Sequence, residues 1–243
     1  MQTWGLTDPG NIRQQNQDAY AIVPFGRDRV LMIVCDGMGG AKSGNVASSL
    51  AVEVFTDEVR RTQKAGMSPE KASAMLRSAL ELANRAVFEQ SQLSEDFTGM
   101  GTTLVAAWLN RDLAVIINVG DSRAYHFTKE DVRLVTRDHS MVAYMVERGE
   151  LTQEQAKLHP GKNVITRAVG TEPEVEGDVF TCRLRRDECI LLCSDGLSNE
   201  MADQEMLFEV VHGLSKSDCC QRLLHIANNR GAPDNVTVTL AAV

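Results

Sequence analysis

The sequence predicts an α+β domain in which helices pack outside antiparallel β-sheets. Strand-like runs occur in adjacent groups, two long helical segments separate those groups, and no linker rich in Gly, Ser or Pro divides the 243 residues. Hydrophobic residues make up 43% of the chain, which suffices for a substantial core and excludes a disordered protein. We therefore expect one domain that spans residues 1–243.

Apolar runs rich in β-forming residues predict the strands. The runs cover residues 19–25, 30–35, 102–108, 113–119, 132–136, 177–184, 189–193 and 236–242. Because several runs follow one another closely along the chain, antiparallel pairing of neighbours is favoured.

Two long helices are predicted between the strands. Apolar side chains recur on one face of residues 45–64, and the second helix begins at Pro69 behind a serine cap. Shorter helices are expected at residues 141–148, 203–211 and 217–229. Residues 149–170 are different, because charged residues, a capping box of Thr152 with Gln155 and a Pro-Gly pair replace the strand pattern. We expect an inserted flap there.

Charge and composition exclude several classes of function. The chain has 33 acidic and 25 basic residues, and its net charge of −8 disfavours nucleic-acid and membrane partners. No apolar run approaches the roughly 20 residues that cross a bilayer, and no signal peptide is visible. The six cysteines form no Cys-x-x-Cys pair, which favours buried thiols in a reducing compartment over a zinc or disulfide site. We expect a cytoplasmic protein.

Five aspartates stand where predicted strands end or begin. Asp36, Asp121 and Asp195 each follow an apolar strand and precede a small residue, whereas Asp18 and Asp234 come just before strands. Because the end of one antiparallel strand lies beside the start of the next, all five side chains could line one edge of the sheets. A single Asp-Gly pair is most simply a turn, but the repeated pattern favours a site.

Clustered carboxylates repel one another, so they remain ionised only when cations neutralise them. Oxygen ligands select Mg²⁺, Mn²⁺ or Ca²⁺ over zinc, and Gly37 lets the backbone after Asp36 come close to an ion. Arg13, five residues before Asp18, is suited to gripping phosphate, although alone it would be interpreted as a surface arginine. Two metals about 4 Å apart can generate a bridging hydroxide that attacks a phosphoryl group in line.

Nucleophilic alternatives find no support in the motifs. The chain contains neither a Gly-x-Ser-x-Gly elbow nor a Cys followed five residues later by Arg. The Gly-Met-Gly-Gly run at residues 37–40 lacks the Gly-Lys-Ser/Thr ending of a phosphate-binding loop. The residues thus predict a metal-dependent hydrolase of phosphate esters.

The ordered motifs resemble the metal-dependent protein serine/threonine phosphatases of type 2C, the PPM family, in their short bacterial form. The matching segments are residues 7–18, 34–40, 99–103, 119–123, 138–140, 165–170, 194–197 and 234–237. The resemblance implies a layered sandwich of two central antiparallel sheets flanked by pairs of helices. It also implies a single phosphatase catalytic domain with a binuclear Mn²⁺ or Mg²⁺ centre at one edge of the sheets.

The resemblance also implies a role for each site residue. Asp36 would bridge both metals, and Gly37 would offer its carbonyl to the second. Asp195 and Asp234 would bind the first metal, and Asp18 would hold metal-bound water.

Three further roles come from the same resemblance. Asp121, with Asp195, would bind a weaker third metal. Arg13 would grip the substrate phosphate, and residues 149–170 would form the flap that governs substrate access. His139 is interpreted as structural, and the same holds for the buried thiol of Cys35 beside Asp36.

Two departures from the family pattern limit this transfer. Relatives often carry a histidine shortly after the Asp-Gly pair, where this chain has Met38, Ala41 and Lys42, so we assign no leaving-group acid. Asn45 follows Gly44, where many relatives have Glu.

We expect a monomeric phosphatase that removes phosphate from serine and threonine of proteins, opposing a bacterial Ser/Thr kinase. Two alternatives stay open. A non-catalytic regulatory relative would commonly have lost a metal aspartate, and none is lost here. A small-molecule phosphoesterase would keep the chemistry and change the substrate.

Overall fold

Two antiparallel sheets form the centre of the computed structural model, which describes residues 1–39, 43–213 and 215–243. In chain order the strands are β1 (Gln2–Asp8), β2 (Asp18–Pro24), β3 (Arg29–Met38), β4 (Gly101–Thr102), β5 (Leu104–Asn110), β6 (Leu113–Val119), β7 (Arg123–Phe127), β8 (Val132–Leu134), β9 (Asp178–Arg183), β10 (Cys189–Cys193) and β11 (Val236–Ala242). The first sheet has the order β1-β11-β10-β7-β8. The second has the order β2-β3-β5-β6-β9, and β4 pairs with β3.

Helices cover the outer face of each sheet. They are α1 (Gly44–Thr62), α2 (Pro69–Ser91), α3 (Met141–Glu147), α4 (Gln153–Leu158), α5 (Asp195–Ser198), α6 (Asp203–Leu207) and α7 (Cys219–Asn229). A 3₁₀ turn occupies Glu95–Phe97, and a π-helical turn continues α6 over Phe208–His212. The predicted helix at 203–211 is therefore two consecutive helical segments.

Three buried clusters hold these layers together. One joins α1 and α2 to the second sheet and includes Phe55 and Trp108. A second joins α7 to the first sheet and includes Leu223. The third lies between the sheets, with Met32 on one side and Leu192 on the other. Burial of these apolar side chains fixes the two sheets face to face, so that their edges can build a common site.

The predicted fold class is confirmed: the protein is α+β, with helices outside two antiparallel sheets. The caps of two helices also form as predicted. Ser68 accepts a hydrogen bond from the backbone of Lys71 ahead of α2. Thr152 and Gln155 exchange the two bonds of a capping box at the start of α4.

Two strands were not predicted from the sequence. Strand β1 lies at the edge of the first sheet and is half-buried or exposed along its length, so its polar residues give no apolar run. Strand β7 carries Arg123 and His126 among its buried residues, which interrupts the hydrophobic pattern. The prediction also ended the third strand too early, because β3 continues to Met38 and Asp36 lies within it.

The expected flap contains α4 and turns. An isolated bridge of Ser140 with Ile165 and another of Thr102 with Val169 attach its later part to the rest of the protein. Leu158 is 87% exposed, whereas Val169 is buried in the cluster that joins α1 and α2 to the second sheet, so the later part of the segment contributes to the core. Gly40, Ala41 and Lys42, which figured in the sequence interpretation, lie outside the described residues.

All six cysteines are buried, as their apolar surroundings predicted, and their thiols are free of disulfide bonds. Among the described helices, none combines the length and hydropathy needed to pass through a membrane.

Candidate metal centre

Strand register places the first two aspartates opposite each other. Asp18 at the start of β2 pairs with Asp36 in β3. The backbone of Asp36 is fixed by three hydrogen bonds: its N–H donates to Thr103 Oγ1 at 2.9 Å, and its carbonyl accepts from the Thr103 N–H and the Thr102 hydroxyl. These bonds use the backbone N–H and carbonyl of Asp36, so its side-chain carboxylate remains available to the site.

Asp195 comes from the other sheet. It begins α5 directly after β10 and Ser194, and its carboxylate lies within hydrogen-bonding reach of Asp36. The Ser194 hydroxyl donates to Asp18 Oδ2 at 2.7 Å and accepts from the Thr237 N–H at 3.0 Å. Ser194 therefore ties the end of β10 to the start of β2, and with it the carboxylates of the two sheets.

Asp234 precedes β11 and is held by the arginine that the sequence predicted for phosphate. Arg13 Nη2 donates to Asp234 Oδ2 at 2.7 Å, and the Asn235 N–H donates to Asp234 Oδ1 at 2.9 Å. This hydrogen bond, and then the charge of Asp234, raises the pKa of Arg13. Arg13 thus reaches the predicted site, but its contact with Asp234 was not foreseen.

Asp121 occupies the turn between β6 and β7. The preceding Gly120 has a φ of +96°, and a side chain there would meet Thr103 at 2.7 Å, so the turn requires glycine. The turn is anchored by His139. Its ring atom Nδ1 accepts a hydrogen bond from the Gly120 N–H at 3.2 Å, and its backbone N–H donates to the Gly120 carbonyl. His139 is structural, as predicted, since the Gly120 bond occupies its Nδ1.

Gly37 follows Asp36 in β3 and is paired with Thr102. A β-carbon at this position would lie 2.1 Å from the carbonyl oxygen of Gly44 and 2.6 Å from that of Gln17. Only glycine fits, and the reason is the close approach of three backbone segments beside Asp36.

The five aspartates influence one another electrostatically, and we call Asp18, Asp36, Asp121, Asp195 and Asp234 the aspartate group. Burial, then the charges of Asp18 and Asp195, raises the pKa of Asp36 well above its usual range. Burial raises the pKa of Asp18 to about 7 and that of Asp121 to about 7, and the charge of Asp195 acts in the same direction on both. The pKa of Asp195 is raised by burial and by Asp234.

Two oxygens of the aspartate group are buried without a hydrogen-bond partner in the part of the chain that the structure describes. They are Asp18 Oδ1 and Asp195 Oδ1. Buried unpaired carboxylate oxygens are costly unless a cation approaches them, and an all-oxygen donor set suits a hard divalent ion. The residues present therefore fit Mg²⁺ or Mn²⁺.

The aspartate group is gathered but not closed around one point. Across residues 1–39, 43–213 and 215–243, no three His, Cys, Asp or Glu side chains already surround a common metal position. Mutual repulsion of carboxylates and the pairing of Asp234 with Arg13 both favour this open arrangement.

A second acidic side chain nearby has the opposite environment. Asp178 lies 3.2 Å from Arg167 Nη1, 3.3 Å from His139 Nε2 and 3.9 Å from Arg137 Nη2, and we call these four residues the Asp178 cluster. Burial alone would raise the pKa of Asp178, but the hydrogen bond from His139 and the charge of Arg167 leave it below its usual range.

Sequence reasoning overlooked two residues that organise the site. Ser194 and Asn235 stand next to Asp195 and Asp234 in the chain, and both lie inside motif segments that were recognised. Their hydrogen bonds join segments far apart in sequence, so the one available signal was adjacency to a predicted ligand.

The chain is similar to known protein phosphatases. A sequence profile of the family described as "Protein phosphatase 2C" matches residues 12–230. The serine/threonine phosphatase stp of Listeria welshimeri is 38% identical over 234 residues, which cover 96% of this chain and 92% of that protein. Protein phosphatase PhpP of Streptococcus pneumoniae is 34% identical over 238 residues, which cover 98% and 96% of the two chains.

Solved structures are equally similar. Serine/threonine phosphatase Stp1 from Staphylococcus aureus superimposes with a TM-score of 0.92 at 35% identity, covering 99% of this chain and 94% of that one. The catalytic domain of serine/threonine protein phosphatase PstP, in complex with two manganese ions, gives a TM-score of 0.84 at 30% identity, covering 99% and 97%.

Proposed function

The chain belongs to the protein phosphatase 2C family and is a protein serine/threonine phosphatase, and from this premise we propose that the aspartate group holds the divalent ions on which its activity depends. One observation carries the proposal. Carboxylates from both sheets converge at one edge, their pKa values are raised by burial, and buried oxygens of Asp18 and Asp195 have no partner in the described chain. The two manganese ions of the PstP structure support a binuclear centre.

The chain's residues divide the work of holding the ions. Asp36 neighbours both Asp18 and Asp195 and would be shared between two ions. Asp195 and Asp234 would hold one of the ions, and the Gly37 carbonyl would serve the other. When bound, the ions supply activated water for in-line attack on phosphorus and neutralise charge on the phosphoryl oxygens.

Two outer aspartates have separate roles in this proposal. Asp18 is the most buried member of the group and accepts a hydrogen bond from Ser194, so it orients water held by the ions. Asp121 lies on the turn that His139 anchors, and with Asp195 it forms a weaker third site.

Arg13 binds the phosphate group of the substrate. Its side chain is 53% exposed while one nitrogen is held by Asp234, so its remaining donors are open to an incoming anion. A guanidinium presents paired donors that match phosphate oxygens, and Asp234 orients it beside the ion-binding carboxylates.

The substrates are phosphoserine and phosphothreonine residues of proteins, made by a bacterial Ser/Thr kinase. We propose that residues 1–243 act as one catalytic domain in which residues 149–170 form a flap beside the site. The six free, buried thiols support a reducing, cytoplasmic location.

The test is hydrolysis of a phosphothreonine peptide by the purified protein with Mn²⁺, with Mg²⁺ and with EDTA. We expect turnover with either ion and none with EDTA. Full turnover in EDTA would refute the metal proposal, and no turnover with any divalent ion would favour a non-catalytic module. A metabolite phosphate ester that outcompetes phosphopeptides would instead indicate a small-molecule phosphoesterase.

A further inference from the structure

Asn235 is a buried amide whose three hydrogen bonds all reach one loop. Its side-chain NH₂ group donates to the carbonyls of Pro9 at 2.9 Å and Gln15 at 3.0 Å, and its Oδ1 accepts from the Gln17 N–H at 2.8 Å. The residue is 3% exposed. The loop that it contacts, residues 9–17, connects β1 to β2 and carries Arg13 near its middle.

This loop has few other attachments near Arg13. Asn11 is bonded through its N–H to the Ala232 carbonyl and through its side chain to the Asn228 carbonyl. Asn16 donates to Thr7. The two Asn235 donations therefore bracket Arg13, with one bonded carbonyl four residues before it and the other two residues after it.

The far end of the loop leads into the aspartate group. The Gln17 carbonyl accepts from the Gly37 N–H at 3.1 Å and from the Ser48 hydroxyl at 2.6 Å. Since Gln17 is also held by Asn235, one amide connects the Asp234 strand of the first sheet to the Asp36–Gly37 strand of the second.

We propose that Asn235 is a positioning residue that sets the place of Arg13 relative to the aspartate group, and thereby the affinity of the site for phosphate. Asn235 acts through its hydrogen bonds to the backbone of the loop that carries Arg13. This inference rests on the proposed phosphate-binding role of Arg13. Asparagine is required because the site needs two donors and one acceptor on a short side chain. Aspartate would lose both donors and face two carbonyls with a negative charge.

The chain offers a matched control in Asn84. This asparagine is also buried, donates to the Glu172 and Pro173 carbonyls, and accepts from the Gly170 N–H at 2.7 Å. It makes the same three kinds of bond to a loop that does not carry Arg13. Comparable losses of stability are expected on replacing either residue, because each variant removes the three hydrogen bonds of a buried amide side chain.

The experiment measures inhibition by inorganic phosphate, together with KM and kcat, for the manganese-loaded protein. We expect Asn235→Ala to raise the phosphate inhibition constant and KM about tenfold with a smaller change in kcat, and Asn84→Ala to leave the inhibition constant within about twofold. In an Arg13→Ala background, Asn235→Ala should add less than about twofold. Amide hydrogen exchange should accelerate in residues 9–17 for Asn235→Ala and not for Asn84→Ala.

The outcomes separate the two proposals. An unchanged inhibition constant in Arg13→Ala refutes the phosphate-binding role of Arg13, and the present inference with it. A weakened Arg13→Ala together with an unaffected Asn235→Ala, or with independent, multiplying effects of the two changes, refutes the positioning role alone. If Asn235→Ala does not fold, Asn235→Ser, which retains one donor and one acceptor, is measured in its place with the same expected direction.

Discussion

The aspartate group and the Asp178 cluster both contain carboxylates, yet the negative charge of these carboxylates meets opposite surroundings. Asp178 is surrounded by Arg137, His139 and Arg167, and these partners bring its pKa below the usual range despite partial burial. Asp36 is surrounded by other carboxylates, and burial, followed by the charges of Asp18 and Asp195, raises its pKa well above the usual range.

The difference indicates which of the two groups of residues is suited to binding a cation from solution. The chain supplies its own cations to Asp178, so that cluster is complete and serves to anchor the end of the flap to β9. At the aspartate group, Arg13 pairs with Asp234 at one edge, and the remaining charge calls for cations from solution. Charge balance therefore separates a structural ion cluster from the proposed metal centre in the same protein.

The largest expected effect concerns turnover. Asp36→Asn should lower kcat by about 10³-fold or more, because loss of a shared metal ligand removes several kcal/mol of transition-state stabilisation. Asp178→Asn should change kcat by no more than about threefold. Phosphopeptide hydrolysis at saturating Mn²⁺ measures both. Equal losses in the two variants would erase the distinction between the clusters.

Metal binding should stabilise the protein through one cluster only. At Mn²⁺ concentrations near 100 times the dissociation constant, we expect about 2.7 kcal/mol of added stability for the natural sequence and for Asp178→Asn. Asp36→Asn should gain much less, since an ion ligand is missing. Thermal melting with EDTA and with Mn²⁺ provides the measurement, and a full gain in Asp36→Asn would argue against Asp36 as a ligand.

Without metal, the two substitutions should change stability with opposite signs. In EDTA, Asp36→Asn should raise the free energy of unfolding by about 1 kcal/mol, because it removes a carboxyl group whose ionised form is disfavoured in the folded state by burial and by the charges of Asp18 and Asp195. Asp178→Asn should lower it by about 1 kcal/mol, because it removes the negative charge that faces Arg167 and replaces one of the two acceptor oxygens that Arg167 and His139 contact with an NH₂ group. Urea titrations give both values. The comparison fails if the signs agree.

The last comparison concerns the pH dependence of the metal-free protein. Folding raises the pKa of Asp18 and Asp121 to about 7, so near neutral pH the native state binds more protons than the unfolded chain. In EDTA, the free energy of unfolding should fall by roughly 4 kcal/mol or more as the pH rises from about 4 to about 7, because each of the two carboxyl groups contributes about 1.4 kcal/mol per pH unit in this interval. Saturating Mn²⁺ should abolish this decline, since bound ions favour the ionised carboxylates. A rise in stability with pH in EDTA would contradict the assigned environment.

Much of the site could be predicted from the sequence because its ligands follow a local rule. Asp121 and Asp195 each come two residues after the last residue of a buried strand, Asp18 starts a strand and Asp234 comes two residues before one, so the antiparallel pattern predicted that they would lie at one edge. Asp36 proved to be inside β3, since that strand continues into the pairing of Gly37 with Thr102. The individual roles of these residues were predicted only from their resemblance to the motifs of the type 2C phosphatases.

The rest depends on contacts that no local pattern encodes. Arg13 and Asp234 are separated by 221 positions, and the Ser194 bond to Asp18 spans 176. Edge strand β1 and strand β7 lacked an apolar run because β1 faces solvent and β7 carries Arg123 into the site region. Such features become visible only when tertiary packing places the loops.

The contact of Ser194 with Asp18 has a mechanical consequence. Asp195 and Asp234 belong to one sheet and Asp18 and Asp36 to the other, so any slip of one layer over the other alters the spacing among the acidic oxygens. The packing of the buried cluster between the sheets, which contains Met32 and Leu192, therefore influences the affinity of the site for ions. A mutation that loosens the packing between the sheets is therefore expected to weaken ion binding first, although the mutated residue lies far from any reacting atom.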